Sequence, residues 1–255
     1  MLFSLDGKKA LVIGIANEDS IAFGCAKAFR EQGAELAITF QNEKSEPFVR
    51  AIAATLGADI VLPLDVRDDG QFRTLFDSIR QKWTKVDVCL HSIAFCPKQD
   101  LHARVVDCSH EGFFTAMDVS VYSFIRMVRA AEPLMTAGGA CLTMSFLGSE
   151  RVVEHYNIMG PVKAALETAT RYMAVELGPK GIRVHALSPG PLKTRAASGI
   201  EDFDALLNAA AARAPTHVLS SLEDVGAYAA FLASPQASNV TGGVHFIDGG
   251  YHIVG

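Results

Sequence analysis

Residues 9–24, KALVIGIANEDSIAFG, decide the fold. The apolar run over 9–13 predicts a short buried strand, and Gly14 lets the chain turn sharply at its end. Ser20 stands at the start of the next predicted helix, where free backbone N–H groups and the helix dipole favour a pyrophosphate. Gly24 predicts close packing of this helix on the sheet. The spacing is looser than G-x-G-x-x-G, so a plain strand–turn–helix with a serine cap explains the stretch equally well.

Strands and helices alternate along the whole chain. Further strands are predicted at 34–40, 59–64, 86–92, 140–145, 183–188 and 243–247, with helices at 20–32, 46–56, 72–83, 112–135, 201–212 and 224–233 and one that carries Lys163 and ends near Leu177. Most of these strands are solid apolar runs, which is typical of a parallel sheet covered by helices on both faces. The pattern predicts an α/β fold with a doubly wound, Rossmann-like parallel sheet, whose ligands bind beyond the carboxyl ends of the strands.

Size and composition narrow the class of protein. The chain has 255 residues, 49% of them apolar, a net charge of −5 and neither linker nor repeat, which predicts one domain over 1–255. The charge argues against a nucleic-acid surface, and no apolar run predicts a membrane helix or a signal core. Five cysteines without a C-x-x-C spacing predict neither a disulfide framework nor a metal site, and they favour a reducing cytoplasm.

Tyr156 and Lys163 form the pair best suited to chemistry. They lie seven residues apart, and on one helix this separation turns the chain by about 700°, so both side chains leave the same face. Together they offer an O–H donor and a positive charge, although a core tyrosine and a surface lysine explain the spacing alone more simply. Pro161 lies between them, which predicts a helix that begins near Asn157 or Ile158, or a kink.

Polar and small side chains follow the predicted strands at the ligand-binding edge. Gln41 stands where such folds bind the adenosine ribose, and the absence of arginine beside it favours NADH. Asp65 is a candidate for the adenine amino group, with Val66 against the ring, or equally for the N-cap of the next helix. His91 has no carboxylate or metal partner in sequence, which favours a structural role. Cys96 is interpreted as a pocket wall rather than a nucleophile.

The segment after the sixth strand is stiffened by two prolines within residues 188–194. The backbone of Leu192 is a candidate partner for a nicotinamide carboxamide, and Thr194 for a phosphate. The alanine-rich stretch 192–212 predicts a substrate-binding lid, with an ordinary surface helix as the even alternative.

Taken together, these segments resemble the short-chain dehydrogenase/reductase superfamily and, within it, the bacterial NADH-dependent enoyl-acyl-carrier-protein reductases of fatty-acid biosynthesis. The similarity covers nearly the whole chain and is carried by residues 14–24, 91–95, 147–151, 156–163, 178–184 and 190–200. The six residues between Tyr156 and Lys163 are its most specific feature, since most of the superfamily leaves three.

The resemblance implies roles for individual residues. It implies NADH as the cofactor, an enoyl thioester on acyl carrier protein as the substrate, and a homotetramer. Tyr156 would hydrogen-bond the thioester carbonyl as charge moves onto its oxygen, and Lys163 would hold the nicotinamide ribose. The implied cofactor contacts are Gly14, Ser20, Ile21, Gln41, Asp65, Val66, Ile93, Lys163, Leu192, Thr194 and Ala196. The implied substrate contacts are Cys96, Phe146, Tyr156, Met159, Ala197, Ile200 and Phe203.

Two departures from the relatives bear on function. Phe146 stands where many relatives carry a second tyrosine, and because it cannot donate a proton we expect it to pack. The acidic stretch 201–204 stands where relatives have basic residues, which predicts weaker docking of an acidic carrier protein. The alternatives are a carbonyl reductase or alcohol dehydrogenase of the same superfamily, and a nucleotide-binding subunit without enzyme activity.

Overall fold

The structure is a computed structural model, and it describes residues 3–194 and 202–254. Its strands are β1 Lys9–Ile13, β2 Glu35–Phe40, β3 Ile60–Pro63, β4 Val88–His91, β5 Gly139–Met144, β6 Ile182–Pro189 and β7 Val244–Ile247. They form one sheet in the order β3-β2-β1-β4-β5-β6-β7, and every neighbouring pair is parallel. The chain therefore reverses its direction of growth between β1 and β4, which confirms the doubly wound parallel sheet.

Helices cover both faces of this sheet. They are α1 Ile21–Glu31, α2 Glu46–Leu56, α3 Asp69–Trp83, α4 Lys98–Leu101, α5 His110–Met117, α6 Ser123–Ala131, α7 Met159–Leu177, α8 Phe203–Arg213 and α9 Leu222–Ala233. Alternate residues of β1 enter two separate cores. Leu11 and Ile13 pack with side chains of α3, α6 and α7, whereas Ala10 and Val12 pack with those of α1, α2 and α9. Burial on both faces explains why the strands are unbroken apolar runs.

The described residues, 3–194 and 202–254, lack two kinds of feature. No helix in these ranges is both long and apolar enough to cross a membrane. Nor do the described residues include three or more histidine, cysteine, aspartate or glutamate side chains grouped so that they could hold a metal ion. All five cysteines are free thiols.

The chain is helical over most of the range 112–135, as predicted, but the helix is not regular. The chain there forms α5, a π-helical turn at Asp118–Tyr122 and then α6. Within the π-turn, the Ser120 hydroxyl accepts the backbone N–H of Phe95 at 3.1 Å. This bond ties the π-turn to the segment after β4, and apolar periodicity reveals neither the bond nor the turn. The short helix α4 was also absent from the prediction.

Gly24 packs against a helix rather than the sheet, so that expectation was wrong as well. A Cβ at Gly24 would lie 2.6 Å from the carbonyl oxygen of Leu222, and one at Gly226 would lie 2.5 Å from the carbonyl oxygen of Gly24. The two glycines therefore let α1 and α9 approach backbone to backbone. This contact fixes the helix that begins directly after the β1 turn.

We expect Gly24→Ala to lower the free energy of unfolding by about 1–3 kcal/mol, because the added methyl group overpacks the contact between α1 and α9. Urea unfolding followed by the fluorescence of the single tryptophan measures this change. Gly178→Ala is the matched control, since nothing lies within 4 Å of a Cβ there and its φ of −52° suits alanine. Equal unfolding free energies in the two variants would contradict the packing argument.

Candidate active site

A crevice of about 550 Å³ opens where β3, β2, β1 and β4 end. It lies at the reversal of strand order, which is where doubly wound sheets bind their ligands. Eight residues with an implied cofactor role line it, namely Gly14, Ser20, Ile21, Gln41, Asp65, Val66, Ile93 and Thr194. The fold therefore gathers residues that the chain order scatters.

The turn between β1 and α1 is held tightly against the end of β4. Gly14 has a φ of +110°, and a Cβ there would lie 2.1 Å from the Ser92 carbonyl oxygen, so only glycine fits. The Ser20 hydroxyl accepts the backbone N–H groups of Ala16 and Asn17, at 3.0 and 3.1 Å. Ser20 occupies the N-cap position, yet its side chain bonds the turn instead of the helix, so the serine-cap alternative was wrong. The Phe23 N–H donates to the Ser20 carbonyl oxygen at 2.9 Å, and the N–H groups before it, at the start of α1, can face an anionic group.

The adenosine end predicted for the crevice carries charges of both signs. Gln41 follows β2 and is exposed. The Asp65 carboxylate accepts the backbone N–H of Arg67 at 2.9 Å and pairs with its guanidinium at 3.4 Å. Asp68 caps α3 through the N–H groups of its first turn, so the N-cap alternative for Asp65 was wrong. Arg67 is a crevice-lining cation that the sequence pattern did not reveal.

His91 is a structural histidine, as predicted. It is fully buried at the end of β4, where its ring nitrogens lie 3.1 Å from the Thr143 hydroxyl and 2.7 Å from the Ser123 hydroxyl. Burial and then the charge of Lys163 lower its pKa to about 3, so the ring is neutral. Burial also raises the pKa of the Cys96 thiol to about 11, which disfavours a nucleophilic role.

Tyr156 lies on the loop before α7, outside the helix. The N-cap of α7 is Ile158, as predicted, because Pro161 in the first turn gives up no intrahelical N–H bond. The expected relation of two helical turns within the candidate pair was therefore wrong. His155 and Asn157 flank Tyr156 with φ values of 61° and 44°, a left-handed backbone that costs a non-glycine residue about 1–2 kcal/mol. Strain of this kind concentrates at functional sites.

The Tyr156 ring is buried against the segment that follows β5. Its centroid lies 4.9 Å from that of Phe146, and a Cβ at Gly148 would lie 2.4 Å from its Cδ1 atom. Burial and then the charge of Glu167 raise the pKa of Tyr156 well above its usual value. The side chain therefore keeps its proton and can donate a hydrogen bond.

Lys163 belongs to α7, and its side chain reaches the carboxyl end of β5. It is 5% exposed, and its Nζ donates to the Met144 carbonyl oxygen at 2.6 Å. Burial lowers its pKa to about 8, and the charge of Glu167 acts in the opposite direction. Neither Lys163 nor Tyr156 lines the crevice, but β5 is the direct neighbour of β4, where the crevice ends. The pair thus adjoins the crevice along the same edge of the sheet.

The remaining predicted residues surround this edge. Leu192 is half-buried against the core of α1 and α9, and the Thr194 backbone N–H donates to its carbonyl oxygen at 2.8 Å. Met159 is the buried first residue of α7, and Phe203 is the half-buried first residue of α8. Three predicted residues, Ala196, Ala197 and Ile200, lie outside the described residues.

Glu167 is a buried residue that the sequence pattern did not reveal. It is 3% exposed, and its carboxylate accepts the Ser145 and Ser149 hydroxyls at 2.5 and 2.6 Å. Its place one turn after Lys163 was an available signal, because residues four apart are neighbours on a helix surface. Its serine partners come from another segment, and no local pattern connects them to the helix.

One family model matches almost the whole chain. The family described as "Enoyl-(Acyl carrier protein) reductase" is matched over residues 14–252. The Rhizobium meliloti protein named enoyl-(acyl-carrier-protein) reductase (NADH) 1 is 45% identical over 251 residues, which is 98% of this chain and 92% of that protein. An enoyl-(acyl-carrier-protein) reductase (NADH) of Escherichia coli is 45% identical over 250 residues, which is 98% of this chain and 95% of that protein.

Solved structures share both fold and sequence with the chain. The enoyl-(acyl-carrier-protein) reductase of Anaplasma phagocytophilum in complex with NAD has a TM-score of 0.95 and 43% identity, and the match covers 100% of this chain and 97% of that one. The Bacillus cereus reductase with NADP+ and indole naphthyridinone has a TM-score of 0.96 and 42% identity, with 98% of each chain covered. The likeness therefore extends over nearly the full length of both chains.

Proposed function

The chain belongs to the enoyl-(acyl carrier protein) reductase family, and from that premise we propose which of its residues carry the reaction. It is an NADH-dependent oxidoreductase that reduces the trans-2 double bond of an enoyl thioester in fatty-acid biosynthesis. The observation that supports the assignment of roles is the buried pair of Tyr156 and Lys163 beside the crevice.

The crevice suits a dinucleotide. The backbone at Gly14 forms a cradle that a Cβ would fill, and the start of α1 presents N–H groups to a pyrophosphate. NADH supplies the hydride when it is bound. Ser20, Ile21 and Thr194 would hold the phosphates, and Gln41, Asp65 and Val66 would hold the adenosine. Ile93, Lys163 and Leu192 would hold the nicotinamide end.

Tyr156 stabilises the charge that develops on the substrate. Because its raised pKa keeps the phenol protonated, it donates a hydrogen bond to the thioester carbonyl oxygen. The Lys163 ammonium group holds the ribose hydroxyls and adds a positive charge near that oxygen. Phe146 packs on the Tyr156 ring and donates no proton. These residues position and polarise the substrate, and the cofactor carries the redox chemistry.

The acyl chain lies against Cys96, Phe146, Met159 and Phe203. The natural thioester is the one on acyl carrier protein. Lys193 and Asp204, both highly exposed, form an ion pair of 3.0 Å at the proposed entrance. Because this pair partly neutralises the lysine, we expect an acidic carrier to dock more weakly here than on a basic surface.

A homotetramer in the cytoplasm completes the proposal. Two large apolar side chains of α7, Tyr172 and Val175, are 69% and 79% exposed. They lie three residues apart and therefore share one helix face. An exposed apolar face of this kind favours burial against a second copy of the chain.

NADH oxidation followed by absorbance tests the activity and the roles of the pair. Crotonyl and longer enoyl thioesters should be reduced, and ketones and β-ketoacyl thioesters should not. Tyr156→Phe should lower kcat by roughly 10²-fold with little change in NADH binding, because the lost donor acts where charge develops. Lys163→Ala should weaken NADH binding by about tenfold, the usual effect of losing a charged hydrogen bond.

The control for the tyrosine is Tyr122→Phe, which removes a hydroxyl from a residue that is 44% exposed and outside the site. This variant should keep its kcat. Oxidation of NADH with ketones but not with enoyl thioesters would overturn the activity. An unchanged kcat in Tyr156→Phe would remove that residue from the mechanism.

Cofactor choice can be tested at Gln41. Arg67 is the cation at this end of the crevice, and Asp65 engages it, so a 2′-phosphate would find no free positive charge there among the crevice residues described. Gln41→Arg should therefore lower KM for NADPH by about tenfold, through a charge-assisted contact with that phosphate. Gln41→Met keeps the length without the charge and should not change it. An equal fall of KM for NADPH in both variants would refute the electrostatic argument.

The lid proposed at residues 192–212 is tested by hydrogen exchange. Its described part includes the start of α8, where Phe203 is half-buried and both neighbours, Asp202 and Asp204, are exposed. Backbone amides of α8 should exchange more slowly once NADH and a substrate analogue are bound, because closure removes them from water. The amides of the last two turns of α3, which ends at Trp83 beside Lys9 at the start of β1, lie at the opposite edge of the sheet and serve as the internal control. Equal exchange in α8 with and without ligands would leave only an ordinary surface helix.

A further inference from the structure

A buried carboxylate lies one helical turn beyond Lys163. Glu167 is 3% exposed, and both hydroxyls that bind it, from Ser145 and Ser149, donate to the same oxygen, Oε1. Neutral hydroxyls satisfy hydrogen bonds without cancelling the negative charge. A buried charge is costly unless another charge compensates it, so a carboxylate retained here calls for an opposite charge nearby.

Lys163 is that opposite charge. It lies on α7 four residues before Glu167, and side chains at this spacing face the same side of a helix. Its own hydrogen bond goes to the carbonyl oxygen of Met144, which is also neutral. The two charges therefore compensate each other across one turn of α7, and each has neutral hydrogen-bonding partners.

The other titratable groups around Lys163 are neutral near pH 7. His91, on β4, has a pKa of about 3 because of its burial and the charge of Lys163. Tyr156, on the loop before α7, has a pKa raised above its usual value by burial and by Glu167. Of these groups, Glu167 is thus the one whose negative charge favours the ammonium form of Lys163.

The same carboxylate also fastens the segment that touches Tyr156. Ser145 and Ser149 stand at the two ends of this segment, which we call the strap, residues 145–149. The strap carries Phe146, whose ring packs on Tyr156, and Gly148, whose backbone lies against the same ring. Anchoring both ends of the strap on one oxygen fixes the surface on which Tyr156 rests.

We propose that Glu167 is a positioning residue for the reduction, which holds the strap against Tyr156 and keeps Lys163 in its charged form at neutral pH. The proposal rests on the roles given above to Tyr156 and Lys163. Glu167 touches neither substrate nor cofactor in this scheme. It acts through Lys163 by charge and through Tyr156 by packing. The two effects can be separated by substitution.

The effect on charge is measured by NMR titration of Lys163 in the protein without ligands, using lysine labelled with ¹³C at Cε and Lys163→Arg for assignment. Glu167→Gln keeps the size and the acceptor oxygen but removes the charge. In this variant the titration midpoint of Lys163 should fall by about one pH unit, because a nearby opposite charge raises the pKa of an ammonium group by about that much. Glu176→Gln removes an exposed carboxylate from the same helix and is the control. Equal midpoints in wild type and Glu167→Gln would overturn the proposal.

The effect on catalysis appears in the pH profile of kcat/KM for NADH, which reports groups of the free enzyme. A lysine that must be charged loses its contribution as pH rises through its pKa, about 8 here. The value of kcat/KM falls on the alkaline side of this profile. Glu167→Gln should move that fall to a pH about one unit lower, the same shift as in the NMR titration. Ser149→Ala loosens the strap without altering charge, and it should lower kcat while that fall stays at the same pH. A uniform loss at every pH in Glu167→Gln would indicate a structural role alone and would refute the proposal.

Glu167→Asp provides a second route if the glutamine variant does not fold. It keeps the charge but shortens the reach to the serines, so the Lys163 midpoint should stay within a few tenths of a unit while kcat falls. A midpoint lowered by about a unit in this variant would contradict the proposal. Failure of the underlying function would look different, because Lys163→Ala would then bind NADH as tightly as the wild type, whatever the NMR titration gives.

Discussion

The close approach of the β1–α1 turn to the end of β4 is the constraint on which the site depends. No side chain fits between Gly14 and the carbonyl of Ser92, so the backbone of the turn lies directly against the end of β4. The strand order reverses at this place, and the crevice opens there because successive helices pass to opposite faces. Gly24 and Gly226 then fix α1 from its other side. The geometry of the cofactor crevice thus follows from contacts that only glycine permits.

The part of the sheet edge beside Tyr156 and Lys163 depends on buried charge instead. One cation, Lys163, and one anion, Glu167, lie on the same helix among neutral hydrogen-bonding groups. Two opposite charges in a poorly solvated region interact far more strongly than they would at the surface. The neutral state of His91 belongs to the same arrangement, because a second cation at the end of β4 would repel Lys163. Packing alone would leave the protonation of this edge undefined.

Sequence patterns predicted the sheet well and the catalytic loop poorly, for physical reasons. Strands buried on both faces are unbroken apolar runs, so β2 and β5 were placed to within a residue or two. The crevice residues follow β1, β2, β3 and β4 directly, and the topology of the sheet brings them to one edge. The two-turn relation between Tyr156 and Lys163 failed because a left-handed backbone at His155 and Asn157 has no apolar signature. Gly24 was assigned to the wrong neighbour because its true partner, α9, lies far along the chain.

The phenylalanine at position 146, which has no hydroxyl, increases the importance of these positional constraints. Of the two facing rings, only Tyr156 carries a hydroxyl, so no second donor can compensate for a displaced phenol. Its orientation is set by a ring contact of 4.9 Å at a tilt of 60°, and by the Gly148 backbone against its edge. Such contacts are short-ranged, and a gap of half an ångström already loses much of their attraction. A chain that relies on one donor therefore needs the strap beneath it to be fixed, and the two serine bonds to Glu167 provide that fixation.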